Sequence, residues 1–250
     1  MIVLKTAKEL DLMRQAGRIA AGALMAGVAA VRPGATTMDV NRAVHEFIVS
    51  HGATPSFLGY GGFPASACVS INDEVIHGIP SKHRKIQEGD IVSIDAGAIY
   101  QGYHGDNAFT VAAGATSDEN RKLMEVTARC LELGIAQAIP GNRLGDIGWA
   151  VQQYAESFGY GVVREYVGHG IGTEMHQDPE VPNYGHPGRG PRLAAGMTIA
   201  IEPMINLKGA GVKTLPDGWT VVTQSGSPSA HFENTVAITD NGPVVLTRPE

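Results

Sequence analysis

The chain has 250 residues, 43% of them hydrophobic, enough to enclose a large core as one big domain or two small ones. A formal charge of −6 argues against nucleic-acid binding, which a basic patch normally serves. Two cysteines, Cys68 and Cys130, form no CxxC pair and suggest no disulfide framework, so a reducing cytoplasm is expected; no apolar run reaches the about 18 residues of a membrane span or forms the core of a signal peptide.

In chain order, Thr6-Ala7-Lys8-Glu9 reads as a capping box opening a helix with Leu10, Met13, Ile19, Ala20 and Leu24 on one face. "VRPGATT" ends it. A second helix begins near Thr37 and aligns Val40, Ala43, Val44, Phe47 and Ile48. "HGATPSFLGYGGFPASA" is a Gly/Pro-rich loop, and strands follow at "CVSI", "DIVSIDAG" and "HGDNAFTVAAG". The order then recurs. Ser117 caps a helix carrying Leu123, Val126, Cys130, Leu131 and Ile135; a further helix holds Leu144, Ile147, Val151 and Tyr154. Strands follow at "GVVREYVG", "MTIAIEPMI", "WTVVTQ" and "HFENTVAIT". Helix, helix, strands, twice over, predicts one α+β body of two similar halves, roughly 1–113 and 114–250, with no linker between them.

Acids stand where strand interiors should be apolar. In "SIDAGAIYQGYHGDNAFT", a hairpin reversing about Tyr100-Gln101 sets Asp95 directly opposite Asp106, roughly 5 Å away on one face. Like charges there need a cation between them, although a solvated hairpin tip is an ordinary alternative. Glu202 in "TIAIEPMI" and Glu233 in "HFENTVAIT" repeat the anomaly, and a buried carboxylate is costly unless paired or coordinated. Neither stretch carries a Lys or Arg, so a salt bridge would have to come from distant chain. "VGHGIGTEMHQDP" adds His169 between glycines and His176 seven residues on, a spacing that excludes the HExxH zinc helix. Glycines beside His169 allow close backbone approach to a site. "GHGIGT" lacks a Walker lysine and is a weak phosphate loop.

Together with "NDEVIHGIP", these stretches resemble the type I methionine aminopeptidases of the pita-bread metallopeptidase family, over almost the whole chain. The resemblance implies two pseudo-symmetric αβ halves around a central antiparallel sheet. It also implies five metal ligands, Asp95, Asp106, His169, Glu202 and Glu233, with Asp106 and Glu233 bridging two ions, Asp95 on one, and His169 and Glu202 on the other. One histidine among four carboxylates is an oxygen-rich set suited to Mn, Fe or Co, with Zn also in the family's range. Two such cations about 3.5–4 Å apart share and acidify a water. By the same resemblance His77 and His176 contact the substrate and the developing tetrahedral centre, and Glu202 accepts a proton.

A methionine slot is implied at Phe57, Tyr60, Phe63, Cys68, Met175 and Trp219, apolar or polarizable groups that suit a thioether and that could equally be ordinary packing. Position 175 is often Phe in the family. A monovalent cation is implied near Asn72, Glu74 and Ser229, although an apolar residue is usual at 74. Of the other histidines, His104 lies near Asp106 in the hairpin, and His231, two residues before Glu233 and so on the same strand face, is the one that bears on the acids.

The reading that follows is a cytoplasmic, monomeric hydrolase that removes N-terminal methionine from nascent chains, preferring a small next residue, with transient ribosome association and no membrane or nucleic-acid site. Two alternatives keep the fold. Proline-specific dipeptidases carry a large domain before the catalytic one, and only about 90 residues precede Asp95 here. Ligand-less binding relatives have lost metal residues that are all present in this chain. The long insertion of the second methionine aminopeptidase class is also absent, since 25 residues separate His176 from Glu202.

Overall fold

The computed structural model describes residues 1–248. Four helices form where periodicity and caps indicate. In α1 (Ala7–Ala30), Thr6 and Glu9 satisfy each other's backbone N–H groups, at 3.4 and 2.7 Å. Helix α2 (Thr37–Ser50) uses Thr36 and Asp39 in the same way. Helix α3 (Asp118–Ala136) starts on the Ser117 hydroxyl, and α4 (Leu144–Glu156) follows it.

The strands are β1 (Thr54–Pro55), β2 (Ala67–Ile71), β3 (Glu74–Ile76), β4 (Ile91–Tyr100), β5 (Tyr103–Ala112), β6 (Gly161–Val162), β7 (Gly168–Gly170), β8 (Gln177–Val181), β9 (Thr198–Ile201), β10 (Met204–Asn206), β11 (Val212–Thr214), β12 (Val221–Thr223), β13 (Ser229–His231), β14 (Glu233–Thr239) and β15 (Gly242–Val245). Nine make the main sheet, in the order β1-β4-β5-β14-β9-β7-β8, with β2 also on β4 and β15 also on β14. Two three-stranded sheets, β13-β10-β6 and β11-β12-β3, lie beside it, and every pairing is antiparallel.

Strand alternation sorts core from site. Val92, Ile94, Ala96 and Ala98 of β4 pack with Ala20, Leu24, Val40, Val44 and Ile48 of α1 and α2. Ile199 and Ile201 of β9 and Val236 and Ile238 of β14 pack with Leu123, Val126, Ile147 and Val151 of α3 and α4. The intervening positions point to the opposite face of the sheet from these two clusters; one of them, Ala237, packs against Met13 of α1, and others are free to line a site. Asp95 and Glu233 occupy such positions.

Three predicted strands are each broken. "MTIAIEPMI" divides at Glu202-Pro203 into β9 and β10, and "HFENTVAIT" divides at Phe232 into β13 and β14. "GVVREYVG" keeps only β6 and β7, with residues 163–167 between them in no strand. In each case the chain leaves one sheet and joins another. A local apolar pattern reads the same in both sheets, so it does not reveal the crossing. Short strands β1, β3, β8, β11 and β15 carry too few residues for a periodic signal.

Candidate active site

Cross-strand register assembles the acids. Cys68 pairs with Asp95, Asp95 with Ala108, and Ala108 with Glu233, one row across β2, β4, β5 and β14. The small Ala108 leaves open the space between the two carboxylates flanking it. Asp106 lies two residues along β5, opposite Gly97, and so faces the same side. The expectation that Asp95 and Asp106 are directly opposite is corrected. The turn is Gln101-Gly102, with φ of 48° and 83°, a tight two-residue hairpin that sets the pair on the diagonal. An even offset keeps both on one face.

Glu202 and Glu233 are not in strand interiors either. Glu202 follows the last residue of β9, and Glu233 is the first of β14. At such breaks a side chain enters the gap between sheets while the flanking strands stay packed.

His169 completes the group from β7. Its Nε2 lies 3.6 Å from Glu202 Oε1 and 3.8 Å from Asp106 Oδ2. Its Nδ1 lies 2.9 Å from the Gly170 carbonyl; donation there leaves the Nε2 lone pair facing the acids. The flanking glycines serve the sheet rather than a ligand. A Cβ at Gly168 would run into the Ala200 carbonyl, and one at Gly170 into that of Asp178.

Burial raises the carboxyl groups of Asp95, Glu202 and Glu233 well above the usual range, and their mutual repulsion adds to it. Burial pushes Asp106 up to about 7. The imidazoles move the other way: burial, then the neighbouring His176, lowers His77 and His169 to about 4. Among the described residues, only histidines come within ion-pair distance of these acids. Asp95 Oδ1, Asp106 Oδ1 and Glu233 Oε1 are buried without a hydrogen-bond partner. Orphaned carboxylate oxygens in a cluster that also holds the His169 imidazole, with no lysine or arginine among the described residues to neutralise them, fit divalent cations. One compact triplet is Asp106, His169 and Glu233; another is Glu202, His231 and Glu233.

These groups form the floor of a cavity of about 140 Å³, whose wall is Phe57, Tyr60, Phe63, Cys68, Met175 and Trp219, with His77 and His176 at its side. Phe57, Phe63, Cys68 and Met175 are buried against one another, with Trp219 edge-on to Phe63 at 5.1 Å. All six predicted slot residues, both histidines and all five candidate ligands thus line one cavity. His77 has a positive φ of 59°, an uncommon conformation for a residue with a side chain. His176 Nδ1 is 2.7 Å from the Tyr60 hydroxyl, and its ring is 4.2 Å from that of His169.

At the positions expected to hold a monovalent cation mainly through backbone carbonyls, the Glu74 carboxylate accepts the Ile71 N–H and pairs with Arg84, and the Asn72 carbonyl accepts the Ser229 N–H. Two residues near the site carry no local signal of their own: Tyr166, edge-on to His77 at 5.8 Å, and Ser56, whose hydroxyl is 3.0 Å from Nδ1 of His104, a residue two before Asp106 on β5 that burial lowers to about 4. His231 was marked by its spacing from Glu233, and its Nε2 lies 4.0 Å from that carboxylate.

Residues 11–240 match the model of metallopeptidase family M24. A methionine aminopeptidase of Clostridium acetobutylicum is 59% identical over 247 residues, covering 99% of both chains. The crystal structure of a methionine aminopeptidase from Thermotoga maritima superposes with a TM-score of 0.98 at 47% identity, over 99% of this chain and 100% of that one. A prolidase from Pyrococcus furiosus shares the pita-bread fold at a TM-score of 0.80 and 26% identity, with 99% of this chain covering 66% of that one. The chain belongs to metallopeptidase family M24 and, within it, to the methionine aminopeptidases.

Proposed function

We propose that this chain hydrolyses the first peptide bond of polypeptides that begin with methionine, using two divalent metal ions. The observation that carries the reading is the convergence of four carboxylates, Asp106 and Glu233 buried and Asp95 and Glu202 largely so, with His169 and, among the described residues, without a lysine or arginine, in one largely apolar cavity. Asp106 and Glu233 would bridge the ions, with Asp95 on one and His169 and Glu202 on the other. Ions held there supply a water of lowered pKa and polarise the scissile carbonyl.

The remaining work falls to the chain. Phe57, Tyr60, Phe63, Cys68, Met175 and Trp219 exclude water and accept the methionine side chain. The whole cavity, metal-binding groups included, is about 140 Å³, which limits the slot to a single side chain of moderate size. Burial keeps His77 neutral at physiological pH, so it orients the peptide through a hydrogen bond without adding charge. His176, tied to the Tyr60 hydroxyl, stabilises charge at the carbonyl oxygen. Glu202, beside the ions, would accept the proton released by the attacking water.

The substrates would be nascent chains with a small second residue, met in the cytoplasm by a monomer that visits the ribosome transiently. Among the described residues no helix is long and apolar enough to cross a membrane. The test is release of methionine from Met-Ala-Ser by protein treated with chelator and then reloaded with Mn, Co or Fe. Cleavage restored by metal, with Ala-Pro left intact, is the expected result. An uncut peptide under full metal loading would overturn the proposal.

A further inference from the structure

Glu202 sits between two histidines, one at each of its oxygens. Oε1 lies 3.6 Å from His169 Nε2, which also faces Asp106 Oδ2 at 3.8 Å. Oε2 lies 3.6 Å from His231 Nε2. His169, Asp106 and Oε1 are therefore grouped on one side of the carboxylate, and His231 approaches its other oxygen.

His231 is buried and its backbone is held on both sides. The residue is 1% exposed, and its backbone is bonded to β10 and, through both N–H and carbonyl, to the Thr110 hydroxyl at 2.9 and 2.8 Å. Its Nε2 has no hydrogen-bond partner, and carboxylate oxygens of Glu202 and Glu233 lie 3.6 and 4.0 Å from it. A ring nitrogen aimed at a carboxylate from a buried residue of fixed backbone can, as an N–H, act as the outer groups that orient metal-binding carboxylates do. The 3.6 Å gap exceeds a hydrogen bond, and a side-chain shift of roughly half an ångström closes it. The main chain at Glu202 is pinned separately, because its carbonyl accepts the Asn183 amide at 2.9 Å.

We infer that His231 is a positioning residue for Glu202: its Nε2–H takes the outer oxygen Oε2 and leaves Oε1 directed at the ion shared with His169. The inference rests on the two-metal reading of the site. It assigns to this chain a contact outside the five candidate ligands.

The experiment is calorimetric titration of the metal-free full chain with Mn²⁺ for wild type, His231→Gln and His231→Ala, together with pulsed electron–nuclear spectroscopy of the Mn-loaded forms. Gln keeps a donor at similar reach, and Ala removes it. The expected result is a roughly 10- to 100-fold loss of Mn²⁺ affinity in His231→Ala and recovery to within about threefold in His231→Gln. All Mn-loaded forms should show a single imidazole nitrogen at the ion, from His169. Wild-type affinity in His231→Ala, or no recovery in His231→Gln, overturns the inference. Two imidazole nitrogens in the wild type would make His231 a ligand and also overturn it. The wild-type spectrum decides that point even if His231→Ala does not fold. A wild type that binds no Mn²⁺ would remove the underlying two-metal reading as well.

Discussion

Asp106→Asn separates the electrostatics of the site from its packing. The substitution is nearly isosteric and removes one charge from a cluster in which burial pushes the Asp106 carboxyl up to about 7 from 3.8. At about 1.4 kcal/mol per pKa unit, ionising that group in the folded, metal-free protein costs on the order of 4 kcal/mol at pH 8. Asparagine does not carry that cost, and it relieves the repulsion that Asp106 exerts on Asp95, Glu202 and Glu233. The metal-free variant should therefore be more stable than metal-free wild type. A chain of this size gains roughly 2–4 °C in Tm per kcal/mol, so the shift should be about 8–16 °C. The same variant should bind Mn²⁺ poorly and release no methionine. Paired melts at pH 8, with and without Mn²⁺, read both effects. A variant that melts below metal-free wild type, or is stabilised by Mn²⁺ as strongly as wild type, would refute the reasoning.

Further predictions concern pH, the pocket and the scaffold. Carboxyl groups raised in the fold stabilise at low pH and lose that contribution as pH climbs through the folded value, about 7 for Asp106, whereas histidines lowered to about 4 act only below 6.5. Metal-free protein should thus melt lower at pH 8.5 than at pH 6.5, and saturating Mn²⁺ should abolish the difference; a Tm that rises over this interval would contradict the assignment. Tyr60→Phe removes the hydroxyl 2.7 Å from His176 Nδ1 and should lower kcat up to about 10-fold with little change in KM, checked by steady-state kinetics on Met-Ala-Ser. Cys68→Leu narrows the methionine slot and should reduce kcat/KM at least about 10-fold while leaving Mn²⁺ affinity unchanged, a split that kinetics and calorimetry resolve. Gly170→Ala presses a Cβ against the Asp178 carbonyl of β8 and should cost about 1–3 kcal/mol, read as a lower Tm of the metal-free chain.

Particular residues show how far the sequence carries. Thr6 and Glu9 announce α1 because a capping box is a contact made within four residues, and the other helices are legible for the same local reason. Asp95, Asp106, Glu202 and Glu233 are legible as anomalies, since a carboxylate within an apolar run needs a cation that the run does not supply. Their register is not legible: shifting the turn by one residue, to Gln101-Gly102, moves Asp95 from opposite Asp106 to opposite Ala108. Nor are the breaks at Glu202 and Phe232, because pairing with a different sheet is decided by chain more than 20 residues away, as when Met204 meets His231. Tyr166 carries no mark of its own three residues before His169, and His104, although two residues before Asp106 on β5, carries no sign of its contact with Ser56, just after β1. The glycines around His169 suggest close approach, and the structure assigns that approach to strands β8 and β9.

The central claim is that the acids at 95, 106, 202 and 233 and His169 hold two divalent ions in common. Anomalous scattering from crystals of the full chain grown with Mn²⁺ tests it most directly. The account predicts two peaks, both within bonding distance of Asp106 and Glu233, one also at Asp95 and the other at His169 and Glu202. No peak in the cavity, or an arginine or lysine seated among the carboxylates instead, would contradict it.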